Sequence, residues 1–247
     1  MSEKPAEPGR TFFIADLHLT DKRPEINGRF FHFIEHIAKG ADALYILGDL
    51  FEYWIGDDDL STVVARETSS KLSALQQAGT PIYFMHGNRD FLLAYRYARL
   101  AGIKLIEDPT LISLYGQPTL LMHGDTLCTD DHAYQFFRNK IRRSWVKSML
   151  LKLPISIRRV LAGMVRAGSE SAKQAKTVEI MDVNLDEVAR IFRAHGYPRL
   201  IHGHTHRPAR HEQDIDGRPC ERWVLPDWYQ TGGYLVCDHL RCRLESM

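Results

Sequence analysis

Eight polar side chains stand in short clusters along the chain: Asp16 and His18, Asp49, Asn88, His123, then His202, His204 and His206. Carboxylates, imidazoles and one amide oxygen form a donor set for Mn²⁺, Fe²⁺, Zn²⁺ or Mg²⁺. No cysteine belongs to the set, which argues against a soft metal. Seven or eight donors exceed what one ion needs and point to two. A pair of ions ~3.5–4 Å apart needs a bridging carboxylate, and Asp49, in the middle of the ordered set, is the natural one. Two ions so placed activate a water and hold a phosphoryl oxygen. Each cluster alone is weak, because D-x-H arises often by chance and Gly-Asp after a strand is usually a turn. The order carries the weight: D-x-H, G-D, G-N, H-G-D and G-H-x-H, each behind an apolar run.

Those runs define the elements that must position the clusters. TFFIA (11–15), ALYIL (43–47), IYFM (82–85), IKLI, TLISLY and TLLMH read as strands. Helices are expected at 29–39 with Gly40 at the end, at 61–78 from a Ser61 N-cap to Gly79, at about 91–101 closed by Gly102, and at about 185–195. RLIHGHTH (199–206) reads as an extended segment, and alternation then places His202, His204 and His206 on one face, His202 behind the ligands. RWVL, YLVCD and CRLE read as short antiparallel strands. Between the last two ligand clusters, about 131–180 forms a helical insertion without strand signals, broken by Pro154. Strand, polar cluster and helix repeat, so every cluster falls at the carboxyl end of a strand, where open α/β sheets bind ligands.

The composition admits an ordinary globular enzyme. The chain has 247 residues, 44% hydrophobic and 26% charged, with a net charge of +1. No stretch approaches the ~18 consecutive apolar residues of a spanning helix. The first ten residues lack the apolar core of a secretion signal, so a cytoplasmic location is expected. Cys128, Cys220, Cys237 and Cys242 form no C-x-x-C pair and are expected as reduced thiols. The small net charge hides an asymmetry: residues 138–176 hold eleven Lys and Arg against one acid, Glu170. Phe136, Phe137, Trp145, Met149, Leu150, Ile157, Val160, Leu161 and Met164 are interleaved with them. Basic helices with such a face suit an anionic lipid surface or acyl chains. The plainer alternative packs the apolar face on the core and leaves the charges in water.

The ordered clusters resemble the calcineurin-like metallophosphoesterase superfamily. The resemblance implies an α/β fold, a four-layer αββα sandwich, here one domain over 1–247 with the insertion as a helical cap. Carried over by position, Asp16, His18 and His206 would share one metal with Asp49, and Asn88, His123 and His204 the other. One departure bears on chemistry. Many superfamily members carry G-N-H-[DE], whose His protonates the leaving group, where this chain has Gly87-Asn88-Arg89-Asp90. Arginine is no acid at neutral pH but clamps phosphate, so Arg89 favours a leaving group that needs no proton, as in a pyrophosphate.

Four longer runs narrow the resemblance: YILGDLFEYWIGDDD (45–59), FMHGNRDFLL (84–93), LMHGDTLCTDDHAYQFFR (121–138) and LIHGHTHRPA (200–209). They are similar to the UDP-2,3-diacylglucosamine pyrophosphatase family of lipid A biosynthesis. The resemblance implies water attack on the α-phosphorus of UDP-2,3-diacylglucosamine, two Mn²⁺ ions, and a peripheral place on the cytoplasmic face of the inner membrane. Asp49, Asn88, Arg89 and His204 would be catalytic. Asn88, Arg89, His204, Asp131, Ser169, Lys173 and Lys176 would contact substrate, although Lys173 stands where some relatives have a small polar residue. The expected partner is a nucleotide-linked glycolipid, with no nucleic acid and no obligate protein partner. Rival readings are a soluble metallophosphodiesterase, another nucleotide-sugar pyrophosphatase, or a metal-free scaffold.

Overall fold

The computed structural model describes residues 9–175, 182–229 and 232–247, and along 169–175 the backbone alone. Two sheets face each other. The first contains β1 (Thr11–Ile14), β2 (Ala43–Leu47), β3 (Ile82–Met85) and β4 (Ile103–Ile106) in parallel. β10 (Gly233–Cys237) and β11 (Cys242–Ser246) extend it antiparallel beside β1. The second has the order β5 (Thr110–Leu114), β6 (Gln117–Met122), β7 (Arg199–His202), β9 (Arg218–Val224) and β8 (Ala209–Ile215).

Alternation along each strand sorts the side chains into layers. Phe13, Ala15, Leu47 and Met85 point inward and meet Leu121, Ile201, Trp223 and Leu225 of the second sheet. Phe12, Ile14, Leu44 and Phe84 point outward, against α1 (Pro24–His32), α2 (Val63–Gln77) and α3 (Tyr95–Ala101), with Trp228 fully buried among Phe30 and Phe33. On the far side Leu120, Met122 and Leu200 are covered by Val188 and Phe192 of α7 (Leu185–Ala194). Helix, sheet, sheet and helix are the four layers the sequence implied. Both faces of the parallel strands are covered, which is why β1 reads as an unbroken apolar run.

Several local expectations are corrected. The first helix starts earlier than residue 29, at Pro24, which suits the first helical turn, and Phe33–Ile37 continues as a π-helix. The second starts after Thr62, and Ser61 instead donates its hydroxyl to Asp59. Its cap is remote: the Asp21 carboxylate accepts from Val63 N (3.2 Å) and Val64 N (2.8 Å). α3 starts at Tyr95 rather than 91, where Asp57 accepts from Ala94 N and Tyr97 N. Strand β8 carries mostly exposed polar residues and gave no apolar signal, and β9 runs parallel to β7 besides pairing antiparallel with β8. Cys237 and Cys242 are joined by a disulfide, against the expectation of four free thiols, because the hairpin sets them directly opposite each other. Cys128 and Cys220 are free and buried.

The insertion is helical: α4 (His132–Ile141), α5 (Ser144–Lys152) and α6 (Ile155–Ala175). α4 and α5 bury no residue. Phe136, Trp145, Val160 and Met164 are each more than half exposed, whereas Leu150, Leu153 and Leu161 are half-buried, so the apolar face packs on the core only in part. Much of the basic charge is instead met within the molecule. Arg158 and Arg159 pair with Asp58 and Asp59, Arg166 lies 3.5 Å from Glu52, and Arg138 and Arg142 reach Asp125. No helix among the described residues is long and apolar enough to cross a membrane.

Replacing Asp21 by Ala removes both acceptors at the start of α2. A loss of about 1 kcal/mol is expected, the usual cost of an N-cap, read as a lower urea midpoint with an unchanged slope.

Candidate metal centre

Five strands deliver the cluster. β1 leads into Asp16 and His18, β2 into Asp49, β3 into Asn88, β6 into His123, and β7 into His204 and His206. The strand ends are tied by backbone bonds: Asp16 N to Gly48 O (3.1 Å), His18 N to Asp49 O (2.9 Å) and Gly203 N to His123 O (2.9 Å). Asp16, His18, Asp49, His204 and His206 all adopt positive φ, between 51° and 71°. Non-glycine residues in that region cost on the order of 1–3 kcal/mol each and gather at functional sites. This backbone also corrects the extended reading of the H-x-H segment: β7 stops at His202, and the two later histidines converge through left-handed turns.

The ligand atoms of Asp16, His18 and His206 lie within 4.8 Å of one another, as do those of Asp16, Asp49 and His123. Asp49 sits between the histidines, Oδ2 3.8 Å from His18 Nε2 and Oδ1 4.0 Å from His123 Nε2. Asp16 belongs to both groups, so it and Asp49 occupy the middle together. Asn88 Oδ1 lies 3.2 Å from His123 Nε2 and 3.1 Å from His204 Nδ1. All seven residues predicted as metal ligands are therefore brought to one place. His202 is not among them. It is fully buried, turned toward Arg222 (3.1 Å) and its own loop at Gly203 O.

Asp16 and Asp49 are buried carboxylates only a few ångströms apart, and their surroundings respond as to a deficit of positive charge. Burial opposes ionisation of Asp16, but His206, His123 and His18 outweigh it and hold its carboxyl below the usual range. Burial and the Asp16 charge push Asp49 up. Burial also works against a charge on His123, yet Asp49, Asp125 and Asp16 push it up to about 9. Desolvation and the neighbouring His123 charge hold the half-buried His204 down to about 3, so it presents a neutral imidazole. Asp16 Oδ1 is buried without a hydrogen bond. Hard carboxylates, neutral imidazole and an amide oxygen, dry and short of cations, fit divalent metal.

Three supporting residues were not singled out from the sequence. Asp90 is fully buried and staples two ligand loops, accepting from Gly87 N (2.9 Å) and Leu50 N (2.8 Å). Tyr229 stacks on His18 at 5.0 Å, and Tyr134 of α4 lies against His204 at 5.9 Å. Asp90 sat inside the G-N-R-D run and was readable there, whereas the two tyrosines come from distant segments. Arg89 donates its backbone N–H to Asp49 Oδ1 (2.8 Å) and accepts from Trp54 N (2.8 Å), which fixes it beside the carboxylates. Asp131 is the N-cap of α4, accepting from Tyr134 N. Ser169 and Lys173 fall on the stretch of α6 whose side chains are not described, and Lys176 lies outside the described residues.

Residues 9–208 match the family model of the calcineurin-like phosphoesterases, the class that five strand ends carrying Asp, His and Asn define. Three curated relatives narrow this, each named UDP-2,3-diacylglucosamine hydrolase. That of Aromatoleum aromaticum is 50% identical over 92% of this chain and 92% of its own. That of Aeromonas hydrophila is 46% identical over 96% and 98%, and that of an Enterobacter species 48% identical over 90% and 92%. The chain belongs to the calcineurin-like phosphoesterases and, among them, to the family of these hydrolases.

The β2 and β3 loops meet so closely that a Cβ on Gly87 would overlap the Asp49 carboxylate and backbone nitrogen. Gly87→Ala should therefore fold yet lose divalent metal. Metal content after dialysis, measured by mass spectrometry, falls well below wild type, and retention of the full complement would refute this account of the loop.

Proposed function

We propose that this protein hydrolyses the diphosphate of UDP-2,3-diacylglucosamine, releasing UMP and 2,3-diacylglucosamine 1-phosphate. The observation that carries the reading is the pairing of a buried carboxylate–imidazole centre with a cap several of whose apolar side chains remain exposed. The names of the relatives, at 46–50% identity over nearly the whole chain, support the same substrate. Asp16, His18 and His206 hold one ion with Asp49, and Asn88, His123 and His204 the second, with manganese as the metal. When bound, the ions supply an activated water and positive charge toward the phosphoryl oxygens.

The chain's own groups do the rest. Arg89, anchored through its backbone, offers its guanidinium to the diphosphate. It has no proton to give at neutral pH, and a departing phosphate monoester needs none. Asn88 and His204 lie at the same edge as Arg89 and orient the phosphates. Asp131, Ser169, Lys173 and Lys176 complete the substrate contacts.

Phe91, Leu92, Leu93, Leu105 and Ile106 of the core, with Lys147 and Leu151 of the cap, line a pocket of about 250 Å³. It offers an acyl chain a mostly apolar surface where core and cap meet. Phe136, Trp145, Val160 and Met164, flanked by Lys140, Arg143 and Lys152, form the face that meets anionic lipid, so the protein sits peripherally on the cytoplasmic side of the inner membrane.

Manganese-dependent release of UMP from UDP-2,3-diacylglucosamine in mild detergent, with UDP-N-acetylglucosamine as the unacylated control, tests the reading. Activity on the acylated compound alone is expected, lost on chelation and restored by Mn²⁺. Equal activity on both would make this a general nucleotide-sugar pyrophosphatase. Inactivity on both, with metal bound, would favour a phosphodiesterase. In the same assay Asp49→Ala should bind neither ion and show no turnover, and full turnover would end the two-ion assignment.

A further inference from the structure

Asp125 closes the H-G-D run, two residues after His123, and takes no part in the ligand set described above. Its carboxylate is fully buried. Three groups of the cap converge on one oxygen, Oδ2: Arg138 Nε at 2.6 Å, the Tyr134 hydroxyl at 2.7 Å and the Arg142 guanidinium at 3.4 Å. All three come from the first helix of the cap or its C-cap. The same surface of α4 makes further bonds to the ligand loops. Arg142 donates to Gly87 O (2.8 Å), in the loop that carries Asn88 and Arg89. Gln135 donates to Asp125 O (2.7 Å) and Cys128 O (3.0 Å). The ring of Tyr134, held by its hydroxyl, lies against His204. The other ion pairs of the cap (Arg158 to Asp58, Arg159 to Asp59) end on the 52–59 loop instead.

We propose that Asp125 is a positioning residue, the buried anchor that fixes α4 against the loops bearing His123, Asn88 and His204 and so sets the substrate gap between cap and metal centre. It touches neither substrate nor metal and acts through Tyr134, Arg138 and Arg142. A buried carboxylate shared by two guanidiniums is costly to break by removing one partner. α4 buries no side chain of its own, so nothing apolar replaces that anchor. Asp131, at the start of the same helix, is placed by the same contact.

The inference rests on the proposed hydrolysis for its kinetic readout, but one measurement needs no substrate. In Asp125→Asn, amide hydrogen exchange across residues 132–141 should quicken by about tenfold or more, as a segment tethered by few buried contacts opens locally. Mn²⁺ affinity should stay within about threefold, since Asp125 is not a ligand. With UDP-2,3-diacylglucosamine, KM should rise about tenfold with kcat little changed, the pattern of lost binding rather than lost chemistry. Arg138→Gln removes the guanidinium closest to Asp125 (2.6 Å) from the cap side and should reproduce both effects, which covers failure of the first variant to fold. Asp59→Asn removes a cap ion pair of equal charge away from the ligand loops and should change neither α4 exchange nor KM. Unchanged exchange in α4, or the same rise in KM in Asp59→Asn, would overturn the proposal. A large loss of Mn²⁺ affinity in Asp125→Asn would overturn it too, by making Asp125 a support of the metal rather than of the cap. If the wild type leaves the lipid substrate intact, the functional reading falls, and the exchange experiment still decides the anchor.

Discussion

Two carboxylates, Asp16 and Asp49, lie buried within a few ångströms of each other, and much of the molecule is arranged around that repulsion. In water such a pair is easily screened. In a dry interior each must meet positive charge or hydrogen-bond donors, or else take up a proton. The structure supplies donors from four directions. On one side His206 lies beside Asp16, on two others His18 and His123 face Asp49, and on the fourth the backbone N–H groups of His204 and Arg89 each donate to one carboxylate. Bringing five strand ends to one point requires the two sheets to face each other, and the strained left-handed turns at five ligand positions follow from the convergence. The core between the sheets, from Phe13 to Trp223, provides the rigidity that holds those turns.

The cap shows the same economy of charge on a larger scale. A segment of eleven basic residues looks from sequence like a surface for an anionic partner. Among the described residues five of its arginines face acids of this chain, Arg138 and Arg142 at Asp125 and Arg158, Arg159 and Arg166 at the 52–59 loop. Electrostatics therefore fastens the cap, while several of its apolar side chains are left exposed. In most globular helices the reverse division holds, with apolar contact fastening and charge facing water. An insertion joined to its domain by polar contacts leaves apolar side chains at its surface.

How far the sequence could be read follows from whether the relevant partners are local. The parallel strands were legible because both faces are covered and the runs are continuously apolar. The ligand clusters were legible because each immediately follows its strand. What escaped was non-local. α2 and α3 begin where Asp21 and Asp57, distant in the chain, accept their first N–H groups, so no residue beside either start marks it. β8 is polar on its exposed positions and is defined only by pairing with β9. The Cys237–Cys242 pair depended on hairpin register, which C-x₄-C spacing does not reveal. The H-x-H segment misled for another reason: alternation presumes extended backbone, and His204 and His206 reach the centre through positive φ.

Arg89 links these levels. The superfamily that the ordered clusters resemble commonly has a histidine at this position, and the guanidinium that stands here instead donates no proton at neutral pH. What it gains is a permanent charge with a planar fork, suited to a diphosphate whose departing half is already stable as an anion. The position is held by backbone alone: its N–H reaches Asp49 and its carbonyl receives Trp54, while Asp90 next to it ties the loop to Leu50 and Gly87. None of these bonds uses the side chain, whose positive charge instead favours the ionised Asp49 carboxylate. A change of leaving group then requires a change of one side chain and a cap to select what carries it, while the buried carboxylate pair and its strands stay as they are.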